Sequence, residues 1–431
     1  MAGASIPEIT PHGGDTAQPA ASSGTFASLR LRNFRLLLLG SILSNLAQWI
    51  QQVTISWLVF DLTGSGAMLG LVNLARSIAT VGLAPVSGVI IDRVARRTLM
   101  LCTAAWLMVM SFVLGVVLLA GHQAVWYLFA FAFLGGLAQA IDQPLRQTVV
   151  FVLLPRSLAP NAVALIQTGW GLMRSVGPGV GGFLILLFGP GGNFLVQSFA
   201  YVLILLNTLR LVFPPHVPSG QQQSMTKNMS DGVRYVRRAP VTRAFLMLGW
   251  VLPLFIIPSF TALPPIYAVE VFHGGPQVLG ILLSAVGVGG VLGGLVAASL
   301  GRVDRRGILQ LGALVLLALS LIGFAFSTVL VLAVPLLMLS GFFEMIYLTS
   351  NQTLLQLSIP DDMRGRVTSL TTLNMGLSPL GAVYAGWGAD LVGPAAVTVI
   401  LCGFAIVIAI ATFLLSPTVR DYRISRALLS R

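Results

Sequence analysis

The chain has 431 residues, of which 56% are hydrophobic and 9% charged, with a mean hydropathy of +0.90. A soluble globular domain carries about a quarter charged residues, so this composition excludes one. The formal charge of +12 would suit a nucleic-acid partner, but the placement of the basic residues ties it to membrane topology instead.

Residues 1–28 are rich in Ala, Ser, Gly, Thr and Pro and contain no Lys or Arg. They lack the basic n-region of a signal peptide and read as a disordered cytoplasmic tail. Leu29 to Arg35 form an amphipathic lead-in whose arginines reach headgroups. Six apolar runs follow, at about 36–60, 67–91, 98–120, 124–145, 161–188 and 193–213. Six more lie at about 242–269, 277–300, 307–327, 330–350, 366–391 and 394–415. Each is long enough to cross roughly 30 Å of hydrocarbon. The expected fold is an all-α polytopic membrane protein with 12 transmembrane helices.

Apart from Arg76 and Arg174, which lie well inside runs, every Lys and Arg falls in the N-terminal segment, an even-numbered connection or the end of a run beside one, or the C-terminal tail. The odd-numbered connections are short and uncharged or weakly acidic, such as Asp61-Leu-Thr-Gly64 and Gly189-Pro-Gly-Gly192. By the positive-inside bias both termini are expected in the cytoplasm. Cys102 and Cys402 sit in apolar runs and read as packing thiols, and the four scattered histidines suggest no metal site.

The chain is also internally repeated. The charged turn Gly88-Val-Ile-Ile-Asp92-Arg93-Val-Ala-Arg96-Arg97, after the second run, returns as Gly301-Arg302-Val-Asp304-Arg305-Arg306 after the eighth. Gln147 and Pro155 recur at a common offset as Gln352 and Pro360. Two parallel six-helix bundles are therefore expected, at 29–213 and 241–416, joined by a polar cytoplasmic linker at 214–240 and followed by a tail at 417–431. A cavity would lie between them at mid-membrane.

These turns carry a resemblance. Gly88-x-x-x-Asp92-Arg93-x-x-Arg96-Arg97 resembles motif A of the major facilitator superfamily, with Ala95 where the usual Gly would stand. Gly177-Pro178-x-x-Gly181-Gly182 resembles motif C, the antiporter signature. Asp142-Gln-Pro-Leu-Arg146-Gln147 and Pro360-Asp361-Asp362-Met-Arg364-Gly-Arg366-Val are similar to strings of the enterobactin-exporter and macrolide-efflux branch. The resemblance implies alternating access between pseudo-symmetric bundles and proton-coupled efflux of a hydrophobic or amphipathic compound, siderophore or drug. It also implies that the Asp92 turn and its repeat (Arg302, Arg305, Arg306) help close the cytoplasmic side. Asp92 would cap the first turn of the eleventh span, and Arg93, Arg96 and Arg97 would pair with Asp361 or Asp362. A purely topological signal would need the arginines but not the acid.

Arg76, Asp142, Arg174 and Glu344 are ionisable within or near the bilayer interior, and each is a functional candidate by default. Arg174 is expected to pair with Asp142 or Glu344, or to meet an anionic substrate. Glu344 matches Gln139 at the repeat offset, an asymmetry that fits a proton carrier, though a structural ion pair is an equal reading. Asn45, Gln48 and Gln52 share one face of the first span and are expected to line the cavity. Gln139, Gln143, Tyr347, Asn351 and Asn374 are further lining candidates. The first span lacks the acid common in drug–proton antiporters.

The alternative reading is an importer of a small nutrient on the same fold. An ATP-driven pump is excluded on this chain alone, because its one lysine, Lys227, lies in the linker without a P-loop. The partners expected are a small molecule, protons and lipid, with no cofactor, no metal and no nucleic acid, on a monomer without catalytic residues.

Overall fold

The computed structural model describes residues 26–155, 157–214, 225–300, 303–360, 363–371 and 373–422. A 3-10 turn (Ala27–Arg30) leads into α1 (Arg32–Thr63), α2 (Gly66–Arg93), α3 (Arg96–Leu119), α4 (Val125–Leu153) and α5 (Ala159–Leu209). The second part holds α6 (Met225–Arg238), α7 (Pro240–Val271), α8 (Pro276–Ser299), α9 (Arg306–Ala325) and α10 (Leu330–Leu357). It ends with α11 (Arg364–Thr371), α12 (Leu373–Val392), α13 (Pro394–Leu415) and the short α14 (Pro417–Arg420).

Among the described residues nine helices are long and apolar enough to cross a membrane. One of them, α5, has 51 residues; straight, it would be about 76 Å long, far beyond the hydrocarbon. It is a hairpin. Gly189 is non-helical (φ 69°, ψ 175°), and Asn193 Nδ2 donates to the Gly181 carbonyl at 3.2 Å. In an unbroken helix those residues would be about 18 Å apart. The expected first and eleventh spans are also helical, as α1 and as α11 with α12, but are not among the nine. α4 runs to Leu153, past the expected end at 145, because Arg146 is neutralised one turn back by Asp142 and need not leave the helix.

α7 is irregular for a plain reason. Pro253, Pro258, Pro264 and Pro265 supply no N–H, and wide π turns form at Leu252–Ile256 and Tyr267–Val271. α6, inside the expected linker, packs on α11, and its Asp231 carboxylate meets Arg366 Nη1 at 3.5 Å.

α1 and α3 pack on α5, and α2 on α4; in the second half α8 and α9 pack on α10, and α9 on α13. The halves meet along two seams, α5 against α8 and α2 against α12. Both seams are built from residues without side-chain bulk. A methyl group on Gly386 would collide with the Gly66 backbone, and one on Gly280 would lie 2.7 Å from the Pro178 carbonyl oxygen. Large apolar side chains such as Phe183, Leu295, Phe404 and Leu415 face outward, as lipid contact requires.

Replacing Gly189 by Ala places a Cβ in a backbone region that essentially only glycine adopts, at a cost of about 1–3 kcal/mol. A lowered thermal unfolding midpoint in detergent is the expected outcome, and an unchanged midpoint would contradict the hairpin geometry.

Candidate functional site

The halves enclose a cavity of about 480 Å³. α1 contributes Gln48, Trp49, Gln52 and Ser56, the 48/52/56 spacing repeating once per turn on one helix face. α2 contributes Arg76, Ser77 and Thr80, α4 contributes Gln139 and Gln143, and α5 contributes Trp170 and Arg174. From the second half come Phe260, Thr261 and Pro265 on the irregular part of α7, Leu283 on α8 and Glu344 on α10.

Two charged arrangements mark the wall. Arg174 Nη2 donates to Glu344 Oε2 at 2.7 Å, a charge-assisted bond between α5 of the first half and α10 of the second. The side chains are 15% and 8% exposed, so each ion depends on the other in this low-dielectric depth. The Arg174 guanidinium also lies 5.8 Å from the centre of the Trp170 ring. Arg76 is held differently. Its Nη1 donates to Gln52 Oε1 at 2.8 Å and its Nη2 to Asn73 Oδ1 at 3.2 Å. Gln52 in turn donates to Ser56 Oγ at 3.4 Å, which fixes its amide.

Several expected site residues lie elsewhere. Asp142 is 2% exposed and faces away from the cavity, accepting from Arg146 Nε at 2.7 Å and from Thr103 Oγ1 at 3.0 Å; it does not meet Arg174. Tyr347 is buried and donates to the Leu248 carbonyl at 2.6 Å, tying α10 to α7. The buried Asn351 meets Gln310 of α9 at 3.0 Å. Asn45 shares the Gln48 face but lies about a turn away, off the wall. The side chain of Asn374 lies outside the described residues. Gln51 and Thr54, on the other face of α1, bond Gln197 and Asn193 of the second arm of α5, each at 2.7 Å. Trp49, Trp170 and Thr80 were not singled out by the sequence; tryptophan in an apolar run carries no periodic signal of its own.

The glycine motif of α5 is a two-sided joint. Gly177 and Gly181 abut Trp49 and Ile50 of α1, whereas Gly182 abuts Gly280 of α8. Pro178 interrupts the helix bonding, and the Gly179 N–H donates instead across the seam to Ser284 Oγ at 2.8 Å.

At the basic end of the bundle, Gly88, Asp92 and Arg93 close α2, and Arg96 and Arg97 open α3. Arg97 Nη2 donates to the carbonyl of Leu209, the last residue of α5, at 2.6 Å. Arg306 Nη2 likewise donates to the Leu300 carbonyl after α8 at 3.4 Å. Both cap helix C-termini within their own half, where a cation meets the negative end of the dipole. Arg305 is the exposed residue preceding α9. Arg302, Asp361 and Asp362 lie outside the described residues.

The opposite end carries a latch the sequence did not reveal. The Asp390 carboxylate of α12 accepts from Ser65 Oγ (2.7 Å), Gly66 N (2.6 Å) and Ala67 N (3.1 Å) at the start of α2. It thereby satisfies the unpaired first-turn N–H groups of a helix in the other half.

A family model described as "Transmembrane secretion effector" matches residues 23–423. The staphyloferrin A transporter of Staphylococcus aureus is 24% identical, covering 82% of this chain and 88% of that protein. The multidrug efflux pump Tap of Mycolicibacterium fortuitum is 26% identical, covering 83% and 89%. Among solved structures, a bacterial homologue of the human lysosomal transporter Spinster, inward-facing and unoccupied, superposes with a TM-score of 0.69 at 15% identity, covering 91% of this chain and 98% of that one.

Breaking the Arg174–Glu344 pair from one side leaves an uncompensated ion, at a cost of about 3 kcal/mol. Arg174→Leu and Glu344→Leu are each expected to lower the unfolding midpoint in detergent, while the double variant recovers most of the loss. A strictly additive double variant would show that the pair is not coupled.

Proposed function

This chain belongs to the transmembrane secretion effector family, a branch of the major facilitator superfamily, and we propose that it exports a small amphipathic molecule in exchange for protons. The observation that carries the reading is the Arg174–Glu344 bond, which spans both halves at the wall of the central cavity. The relatives named for siderophore transport and multidrug efflux support the direction and the substrate range, siderophore-like or drug-like. The working unit is a monomer in a bacterial cytoplasmic membrane with both termini inside. Its two bundles, 29–213 and 241–416, rock about the cavity.

Glu344 carries the proton. When ionised it ties α10 to Arg174 of α5, and protonation removes the charge that makes this tie strong. A proton therefore changes the bonding between the halves at the depth where they pivot. With the basic turns facing the cytoplasm, the Asp390 latch lies on the outer side and holds that side shut. The Asp92 turn plays the matching part on the inner side when the outer side opens.

Everted vesicles energised with a proton gradient test this directly. Glu344→Gln is expected to abolish gradient-driven uptake of substrate into such vesicles while the protein still reaches the membrane. Unaltered pH-dependent transport would remove Glu344 from the role, and net movement in the opposite direction would make the protein an importer. Asp92→Asn is expected to favour the inward-open state, lower export and raise cysteine labelling inside the cavity; unchanged labelling would refute the inner latch.

A further inference from the structure

We propose that the cavity takes an organic anion with a flat apolar body, and that Arg76 is the residue that holds its charge. The proposal rests on the exporter reading above and narrows it to a substrate class.

Among the side chains lining the cavity, the charged ones are Arg76, Arg174 and Glu344. Arg174 and Glu344 neutralise each other at 2.7 Å. Arg76 has no such counter-ion: among the described residues no carboxylate lies within salt-bridge distance, and its side-chain partners are the amide oxygens of Gln52 and Asn73. The wall therefore keeps one net positive charge. Neutral amides orient a guanidinium without cancelling it, and two bonds leave several of its five N–H donors for a further acceptor. A planar fork fixed in this way suits a carboxylate or another oxyanion, which it binds in bidentate fashion. An unneutralised cation at this depth is costly until an anion arrives.

The rest of the wall fits the remainder of such a molecule. Trp49, Trp170 and Phe260 offer flat apolar surface, and Gln48, Gln139 and Gln143 offer neutral hydrogen-bonding groups. A cationic compound would find the sole lining carboxylate already bound to Arg174 and would be repelled by Arg76. Because the anion sits on Arg76, the Arg174–Glu344 pair stays available to the proton, so substrate and proton act on different residues of one cavity.

The test measures binding separately from movement. Full-length protein in nanodiscs is dialysed against radiolabelled 2-naphthoate, 2-naphthamide or 2-naphthylmethylammonium, three ligands of one shape and different charge. The naphthoate is expected to bind at least about tenfold more tightly than the amide, the scale of a charge-assisted bond, and the ammonium more weakly than either. In Arg76→Gln the naphthoate falls to the level of the amide, while amide binding persists and reports an intact cavity. Arg76→Lys keeps a preference for the anion, and this variant decides the matter if the glutamine form does not fold. Equal binding of all three ligands, preference for the ammonium, no binding of any, or retained anion preference in Arg76→Gln would overturn the proposal. Naphthoate that binds through Arg76 yet is not moved across proteoliposomes under a proton gradient would refute the exporter reading and leave this one standing.

Discussion

The bond between Arg174 and Glu344 is the constraint on which this architecture turns. Apart from the Asp390 cluster, the seams between the halves are made largely of backbone and small side chains. A charge in hydrocarbon asks for more, because its solvation must be replaced by something specific. At 2.7 Å and with both side chains largely buried, each ion supplies what the other lost on leaving water. The pair thus reaches from α5 of one half to α10 of the other across the wall of the cavity.

Around that point the seams are packed at backbone distance. Glycine on α5, α8, α2 and α12 lets helices of opposite halves approach at backbone distance, with dispersion and few directed bonds holding them. The directed bonds that do cross are few and local, notably Gly179 to Ser284 in one seam and the Asp390 cluster at the end of the other. Within the first half, by contrast, polar groups are tied internally. Gln51 to Gln197 and Thr54 to Asn193 hold α1 to the second arm of α5, and Asp142 to Arg146 and Thr103 holds α4 to α3. A first half tied internally beside seams with few directed bonds among the described residues supports the rocking proposed above.

Much of this was legible in the sequence, and the boundary of legibility is physical. Length and hydropathy place the spans because lipid imposes a minimum apolar run, and the basic turns mark one side because arginine stays out of hydrocarbon. The 48/52 spacing identifies a shared face of α1. Periodicity fixes which residues share a face, but not which neighbour that face meets. That is why Tyr347 and Asn351, on the same helix as Glu344, serve α7 and α9 instead of the cavity. Asp142 was a candidate because it is ionisable near the bilayer interior, and its i+4 partner Arg146, beyond the expected end of the span, is what neutralises it. Asp390 was invisible because its partners lie 323 to 325 residues away, in the other half of the chain.

The Asp390 cluster also casts the charged turn of α2 in a definite light. α2 and α12 run antiparallel, since Gly66 faces Gly386 and Gly70 faces Val383. At each end of such a pair, the start of one helix, with its unpaired N–H groups and positive dipole, lies beside the finish of the segment it opposes. α12 finishes with Asp390 and α2 finishes with Asp92. At one end the acid is seen accepting from the first turn of α2. In the proposed cycle Asp92 takes the equivalent part at the other end, beside α11, the segment that precedes α12. Under that proposal, one antiparallel pair with an acid at each finish acts as a reversible clasp with two closed positions. In the proposed cycle rocking releases one end as it engages the other, so opening either side is offset by capping a helix on the opposite side.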